Sequence, residues 1–481
     1  MKIKPKYFNW LTAALLLLIF AIRVFQFSNI QFDSDFGRDS LFAWRIINEK
    51  PTLIGAQASV GGFYLGPLYF YVIAAVYSVF GPIPELMMLF FAILNVSAAW
   101  LGWFFLSKKV SNTAGFIFLL LFGTSATLVS ASRGATHAPM LPFVTVLVTL
   151  LLQRALERKR TIDHFISGLS LGLFLHVHFS ALLLFPGYFL VVFMLTKEKL
   201  VIRLKTIALH LLALIVMLSP LIFFDLRHGY ITSRAFYDYV ISVINGGAIR
   251  DSFPHWTITQ KADAFLSTFS SNKFIIIMFL FGFAYGFWLE LKKKSKTGVI
   301  SIALLFTAVS LLFLYKGYLF SYYLIVPITL LLLVTSQFLA RLKWVGIVVA
   351  IVLSTVGIGR LKTSYLPQFR TVRNLTYVVD VIEQNQNKQN NPEFAVFKDS
   401  GDGLTGLAYE YRFLLTRDGH IPVSEYAYEQ ASLLYIIRED GISDPLSLGN
   451  QEVKMFGPKK IISKDIIWAD KREITIFTLS R

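Results

Sequence analysis

Long apolar runs with no polar period dominate the chain. They fall near residues 8–30, 84–106, 113–132, 138–153, 163–177, 179–196, 206–224, 273–290, 298–314, 319–339 and 344–359. A membrane-spanning helix needs roughly 20 apolar residues, so these runs predict about 11 spans. One further run, Gly66–Phe80, is shorter and is bracketed by Pro67 and by Gly81-Pro82-Ile83-Pro84. That length and punctuation predict an interfacial or re-entrant helix that does not cross.

Past residue 360 the pattern changes to charged and polar. Candidate helices (Leu375–Gln384, Leu404–Leu414) alternate there with strand-like runs (Phe394–Lys398, Leu433–Ile437, Glu473–Leu479). The expected organisation is a membrane domain over 1–359 and a small mixed α/β domain over 360–481.

Composition agrees. Hydrophobic residues make up 55% and charged residues 16% of the 481 positions. Soluble domains run at about 45–50% and about 25%. Disorder, collagen and disulfide scaffolds are excluded together. The absence of cysteine removes thiol catalysis and thiolate metal sites.

The net charge of +17 would suggest nucleic acid in a soluble chain. Here the basic residues collect in short loops, where they set orientation. Lys2, Lys4 and Lys6 place the N-terminus in the cytoplasm. If 66–80 does not cross, the clusters Lys108–Lys109, Arg154–Arg160, Lys197–Lys205, Lys292–Lys296 and Arg341–Lys343 also fall inside. If it crosses, all of them fall outside. The non-crossing topology is therefore expected, with external loops at 31–83 and 225–272 and an extracytoplasmic C-terminal domain. The first run is too long for a cleavable signal peptide and lacks a small-residue cleavage site.

The candidate chemistry lies on the predicted outer side. Asp33, Asp35 and Asp39 stand within seven residues, in Asp33-Ser-Asp35-Phe-Gly-Arg38-Asp39. Crowding carboxylates at a membrane surface is unfavourable unless something uses them. Read as a helix, residues 36–50 follow the interface, and Asp35 and Asp39 at i and i+4 share a face. Arg38, beside them, orients carboxylates. A second feature, Gly61-Gly-Phe-Tyr-Leu-Gly66-Pro67-Leu-Tyr69-Phe-Tyr71, combines a tight entry with tyrosine hydroxyls. Lys316 interrupts two apolar runs on the outer side, against the charge trend. His176 and His178, at i and i+2, face different ways on a helix and predict no shared metal site.

In their order, these pieces resemble the membrane glycosyltransferases of family 39, which include protein O-mannosyltransferases and bacterial aminoarabinose transferases. The residues carrying the resemblance are Asp35-Phe-Gly-Arg38-Asp39, Gly66-Pro67-Leu68-Tyr69-Phe70-Tyr71, Ser132-Arg133 with His137-Ala138-Pro139, and Phe224-Asp225-Leu226-Arg227-His228. The likeness covers about the first 230 residues, and the remainder follows by layout. The sequence departs from the family where Asp-Glu is replaced by Asp35-Phe36 and His-Pro-Pro by Leu65-Gly66-Pro67.

The resemblance implies a GT-C fold, an α-helical polytopic membrane protein with a small external α/β domain. It implies an inverting hexosyl- or pentosyltransferase that moves a sugar from a polyprenyl-phosphate donor to an acceptor hydroxyl at the outer face of the cell membrane. Asp35 is then the general base, with Asp39 as the second catalytic carboxylate. Arg38, Tyr69, Arg133, His137, His178, Asp225, Arg227, His228 and Lys316 form the expected donor-phosphate and substrate set. The acceptor is a protein, lipid or glycan. Partners are the lipid-linked donor and membrane lipid, without nucleic acid. No cofactor or resident metal is required, although the acidic loop has the chemistry to take a divalent cation.

The alternatives are a lipid-linked oligosaccharide flippase or transporter and a surface polysaccharide polymerase. Transporters place ionisable residues at mid-membrane depth, whereas here the polar residues gather on one side. Polymerases carry external arginines in place of clustered aspartates.

Overall fold

A computed structural model describes residues 5–58, 61–134, 137–196, 198–245, 256–267, 285, 288–289, 292, 295–315, 319–399, 406–439 and 444–481. The chain folds as two compact units. One comprises Met1–Phe25, Thr52–Tyr69 and Leu89–Tyr365, and the other Gln26–Pro51, Phe70–Met88 and Leu366–Arg481.

The first unit is helical. Most of the helix Pro84–Lys109, from Leu89 onward, belongs to it. Six described helices are long and apolar enough to cross a membrane, and the bent pair Asn112–Thr124 and Ala126–Ser132 raises this to seven. Trp10–Val24, Leu68–Phe80, Thr161–Val177 and Phe179–Leu195 are shorter apolar segments. The expected span at 273–290 lies almost wholly outside the described residues. The expectation of about 11 spans is thus matched in position by most of the runs, but not in the number of full-length crossings.

Two local breaks differ from the sequence reading. The run 113–132 is one predicted span, yet its two helices meet at 63°, with Ser125 in extended backbone between them. The run 206–224 is divided into Leu200–Met217 and Ser219–Arg227, with Pro220 in the first turn of the second helix. A proline ring there excludes continuation of the preceding helix.

Burial sorts the helices. Ser321–Arg341 is 89% buried across its apolar window and Leu200–Met217 only 17%. The latter turns Leu204, Leu212 and Ile215 outward, each more than half exposed. Water penalises such a surface at about 25 cal/mol per Å², and a lipid surround removes the penalty. The protein is a membrane protein by this surface.

Ion pairs order the loops. Lys109 pairs with Glu157 and Lys159 with Glu198 (3.3 Å), while Gln153 donates to Thr297 Oγ1 (2.7 Å). The basic loops therefore share one end of the unit. Arg133 binds the carbonyls of Phe25 and Ser364 at 2.5 and 3.1 Å, so residues 25, 133 and 364 lie together in a separate cluster.

The second unit is mixed α/β, and besides 366–481 it takes in 26–51 and 70–88, which the sequence reading placed with the membrane domain. Its strands are β1 (Phe394–Asp399), β2 (Leu433–Arg438), β3 (Lys460–Ala469) and β4 (Arg472–Ser480), in the order β1-β2-β4-β3. β1 and β2 are parallel, joined through the helix Tyr409–Arg417, and the other pairs are antiparallel. Phe397, Tyr428, Leu434, Ile436, Phe456 and Leu479 form part of a buried cluster in this unit. β3 is not among the strands read from sequence. It is an edge strand with alternate positions exposed, and Ile462, Ile466 and Trp468 face outward, which blurs the apolar alternation.

Candidate functional site

The acidic motif forms a helix, α2 (Ser34–Asn48), inside the second unit. Asp33 is its N-cap, accepting from Phe36 N at 2.9 Å. This satisfies a donor that the first turn otherwise leaves open. Arg38 joins the other two carboxylates. Its Nη1 donates to Asp35 Oδ1 (2.8 Å), and its Nε and Nη2 donate to Asp39 Oδ1 (2.9 and 2.8 Å). The shared face expected for Asp35 and Asp39 is present, and Arg38 has the orienting place read from the sequence.

The two carboxylates differ in access. Asp35 has its side chain 56% exposed and Asp39 none of it. Burial pushes the Asp39 carboxyl up to about 7, with Arg38 opposing the shift. Burial, then the neighbouring Asp35 charge, also lifts Asp33 to about 7. The Asp35 Oδ2 atom takes no hydrogen bond among the described residues, which leaves an oxygen available to a reacting group.

The C-terminal elements hold α2. Gly37 crosses the backbone of Tyr409 and Glu410 so closely that a Cβ would meet Glu410 N at 2.4 Å. Arg45 forms a two-pronged bond to Glu425 (2.9 and 2.7 Å). Phe32 N donates to Arg370 O (2.6 Å), and the Phe32 ring packs on Phe36 and Phe413. Ser40 and Tyr77 share a hydrogen bond of 2.9 Å. These anchors have weak sequence signals. Only Gly37, a lone glycine in a helical pattern, announces a close packing contact.

The remaining predicted residues lie in the first unit. Helix α3 (Leu68–Phe80) is 13 residues long, about 20 Å at 1.5 Å per residue and short of the bilayer, as expected. At its start, Leu68 N donates to His176 Nδ1 (3.3 Å), and His176 Nε2 donates to Met217 O (2.8 Å). A Cβ on Gly66 would stand 2.2 Å from that Nδ1. Glycine thus stands in the Gly-Pro-Leu motif because an imidazole fills the side-chain space. Tyr69 is buried, its ring parallel to Phe91 and 4.1 Å from the His137 ring. His178 caps the short helix Phe179–Leu183 through Ser180 N (3.0 Å) and meets the rings of Tyr322 and Tyr323.

Two members of the expected substrate set have structural work. Arg133 Nη1 binds the carbonyls of Arg23 and Phe25 (2.8 and 2.5 Å), and its guanidinium lies over Tyr365. Asp225 is buried and accepts from Thr232 N (2.7 Å) and Ser233 N (3.1 Å), capping the helix Ile231–Ile244. Arg227 and His228 are exposed at the end of Ser219–Arg227, where His228 stacks on Phe224. Lys316 lies outside the described residues. Among the described residues no group of three or more His, Asp or Glu side chains is placed to hold a metal ion.

Residues 65–224 match the family described as dolichyl-phosphate-mannose-protein mannosyltransferase. No curated protein matches the chain by sequence search. ArnT from Cupriavidus metallidurans, solved bound to undecaprenyl phosphate, aligns at TM-score 0.64 and 12% identity over 98% of each chain. The Archaeoglobus fulgidus oligosaccharyltransferase AglB, solved with an inhibitory peptide and a dolichol-phosphate, aligns at 0.54 and 12% identity, covering 90% of this chain and 69% of that one. The arabinofuranosyltransferase AftD from Mycobacteria aligns at 0.53 and 14% identity over 100% of this chain and 40% of its own. The family match and these structures bear out the resemblance to GT-C membrane glycosyltransferases, and the chain has their fold.

Proposed function

We propose that the protein is an inverting glycosyltransferase that takes a sugar from a polyprenyl-phosphate donor and passes it to an acceptor hydroxyl. The observation that carries this reading is the Asp35–Arg38–Asp39 arrangement on α2, in a chain of GT-C fold. The exposed Asp35 removes the acceptor proton as the hydroxyl oxygen attacks the anomeric carbon. The bond to the phosphate oxygen breaks, and polyprenyl phosphate departs with the electron pair. A positioned base contributes typically about 10²–10⁴-fold. Asp39 acts through Arg38, which it fixes against Asp35.

The leaving phosphate requires cations. Arg227 and His228 are exposed and suited to it, and Lys316 belongs to the same proposal. Lipid-linked donors are supported by the polyprenyl phosphates bound in ArnT and AglB. The charge of the loops carrying Lys109, Arg154 and Lys159 supports a cytoplasmic place for them, and transfer is taken to occur at the outer face. The decisive experiment is Asp35→Asn in membranes supplied with a polyprenyl-phosphate sugar. Loss of transfer at normal expression supports the assignment, and unchanged transfer rejects it.

A further inference from the structure

The outer margin of the sheet carries side chains that the transfer chemistry does not use. β3 stands at the edge and pairs with β4. Its two faces differ. On one, Asp465 accepts from Asn385 of the helix Val372–Lys388 (2.9 Å), and Ser463 and Ile467 are half-buried. On the other, Lys464, Ile466 and Trp468 follow one another at the strand period of two. Ile466 and Trp468 are 50% and 68% exposed. The helix Gln451–Phe456 covers the centre of that side, where Val453 and Phe456 join Phe477 and Leu479 in the buried cluster. The row on β3 is left open.

The row runs into a cationic tip. Ala469 pairs with Arg472, and the turn between them is Asp470-Lys471, both at positive φ (46° and 67°). Two-residue hairpin turns of this kind favour glycine in the second place. Lysine there sets a charge at the tip at a conformational cost. Arg472 lies over the Phe369 ring, 4.6 Å from its centre. Phe369 belongs to the connection out of the apolar helix Trp344–Arg360. That connection meets the one out of helix α1 (Pro5–Val24), because Phe32 N donates to Arg370 O (2.6 Å) and Gln31 bridges Thr371. The tip therefore stands where the chain enters this unit from two apolar helices.

We infer that the tip of the β3–β4 hairpin rests on the surface of a phospholipid bilayer, with Ile466 and Trp468 at headgroup level and Lys464 and Lys471 against lipid phosphates. Tryptophan and lysine both suit that level. The open backbone edge of β3 keeps the strand out of the hydrocarbon, where its polar groups would be unsatisfied. An added strand from a polypeptide partner fits less well. Lys460 and Lys464 lie along the edge, and a bulge breaks the register between Ile461 and Ser463, which are features that blunt edge pairing. Attachment of this kind is independent of sugar transfer.

The chain contains no cysteine, so single spin labels can be placed by Ile466→Cys and Trp468→Cys. Ile421→Cys supplies a reference in the same unit, at a position 60% exposed. Full-length protein is reconstituted one copy per nanodisc in mixed phosphatidylcholine and phosphatidylglycerol. Electron paramagnetic resonance then compares relaxation by oxygen, which enters lipid, with relaxation by a water-soluble nickel chelate. Labels at 466 and 468 are expected to favour oxygen, and the label at 421 to favour nickel. In the 466-labelled protein, Trp468→Ser should lower the ratio of docked to free hairpin. Lys471→Gln should lower it by roughly fivefold, one basic residue's share at an anionic surface. Nickel access at 466 and 468 equal to that at 421 overturns the inference. Shielding of both labels from oxygen and nickel alike also overturns it, because protein would then cover the row. A docked-to-free ratio unchanged by both Trp468→Ser and Lys471→Gln does so too.

Discussion

A Cβ on Gly37 would stand 2.4 Å from the Cα of Glu410. Backbone meets backbone there, so no rotamer change relieves the contact. The helix bearing the acidic motif is seated on the helix Tyr409–Arg417 through that one missing side chain.

Gly37→Ala is therefore expected to destabilise the protein despite alanine's better helix propensity, worth about 1 kcal/mol. Overpacking against fixed backbone costs typically about 1–3 kcal/mol, and the displaced α2 carries Asp35 away. Thermal unfolding should fall by several degrees, and transfer should drop by at least about tenfold. Wild-type melting temperature and activity together would remove Gly37 from this role.

Asp35 and Asp39 are expected to fail in different ways. Asp35→Asn should lower transfer by about 10²-fold or more while leaving unfolding near wild type, because Asp35 is exposed. Asp39→Asn should reduce transfer less and alter stability, because it removes the buried partner of Arg38. The comparison is kcat beside melting temperature for each variant.

The pH dependence has a definite sign. Asp39 in the fold is lifted to about 7 by burial, above the ordinary value of about 3.9. The folded protein therefore holds a proton that the unfolded chain has released. The stabilisation this gives is complete below about pH 4 and is lost as pH rises to about 7. Asp33 acts in the same direction. Melting temperature in wild type should accordingly decline from pH 5 to pH 8 more than in Asp39→Asn. Equal slopes in the two proteins would contradict the shift.

His176 and Gly66 form a lock and should couple. Gly66→Ala alone drives a Cβ into the imidazole, and His176→Ala alone leaves Leu68 N and Met217 O without their partner, about 1–3 kcal/mol for each orphaned group. The double variant relieves the clash, so its loss should be smaller than the sum by about 0.5–3 kcal/mol, measured by a double-mutant cycle on unfolding. Simple additivity would show that the ring does not constrain Gly66.

Hydrophobic runs revealed most of the membrane helices because each is long and lacks competing periodicity. They did not reveal the 63° bend at Ser125, which has no proline to mark it. The strands β1, β2 and β4 were legible because they are buried on both faces, whereas β3 mixes exposed isoleucines with lysines. In the site, the Asp35–Arg38–Asp39 face followed from helical spacing. The clamps did not: Arg45 and Glu425 lie 380 positions apart, and no local pattern connects them. Arg133 and Asp225 were read as substrate contacts from motif position, and tertiary packing gives them carbonyls and a helix start to hold.

The acidic helix lies near the beginning of the chain but is packed as part of its end. Residues 26–51 and 70–88 form one compact body with 366–481. An exchange of C-terminal domains between related chains would thus have to move three stretches together, leaving 52–69 behind. A cut at residue 366 would expose the face of α2 that rests on Glu410 and Glu425, so the membrane portion alone is not a minimal folded form of this protein.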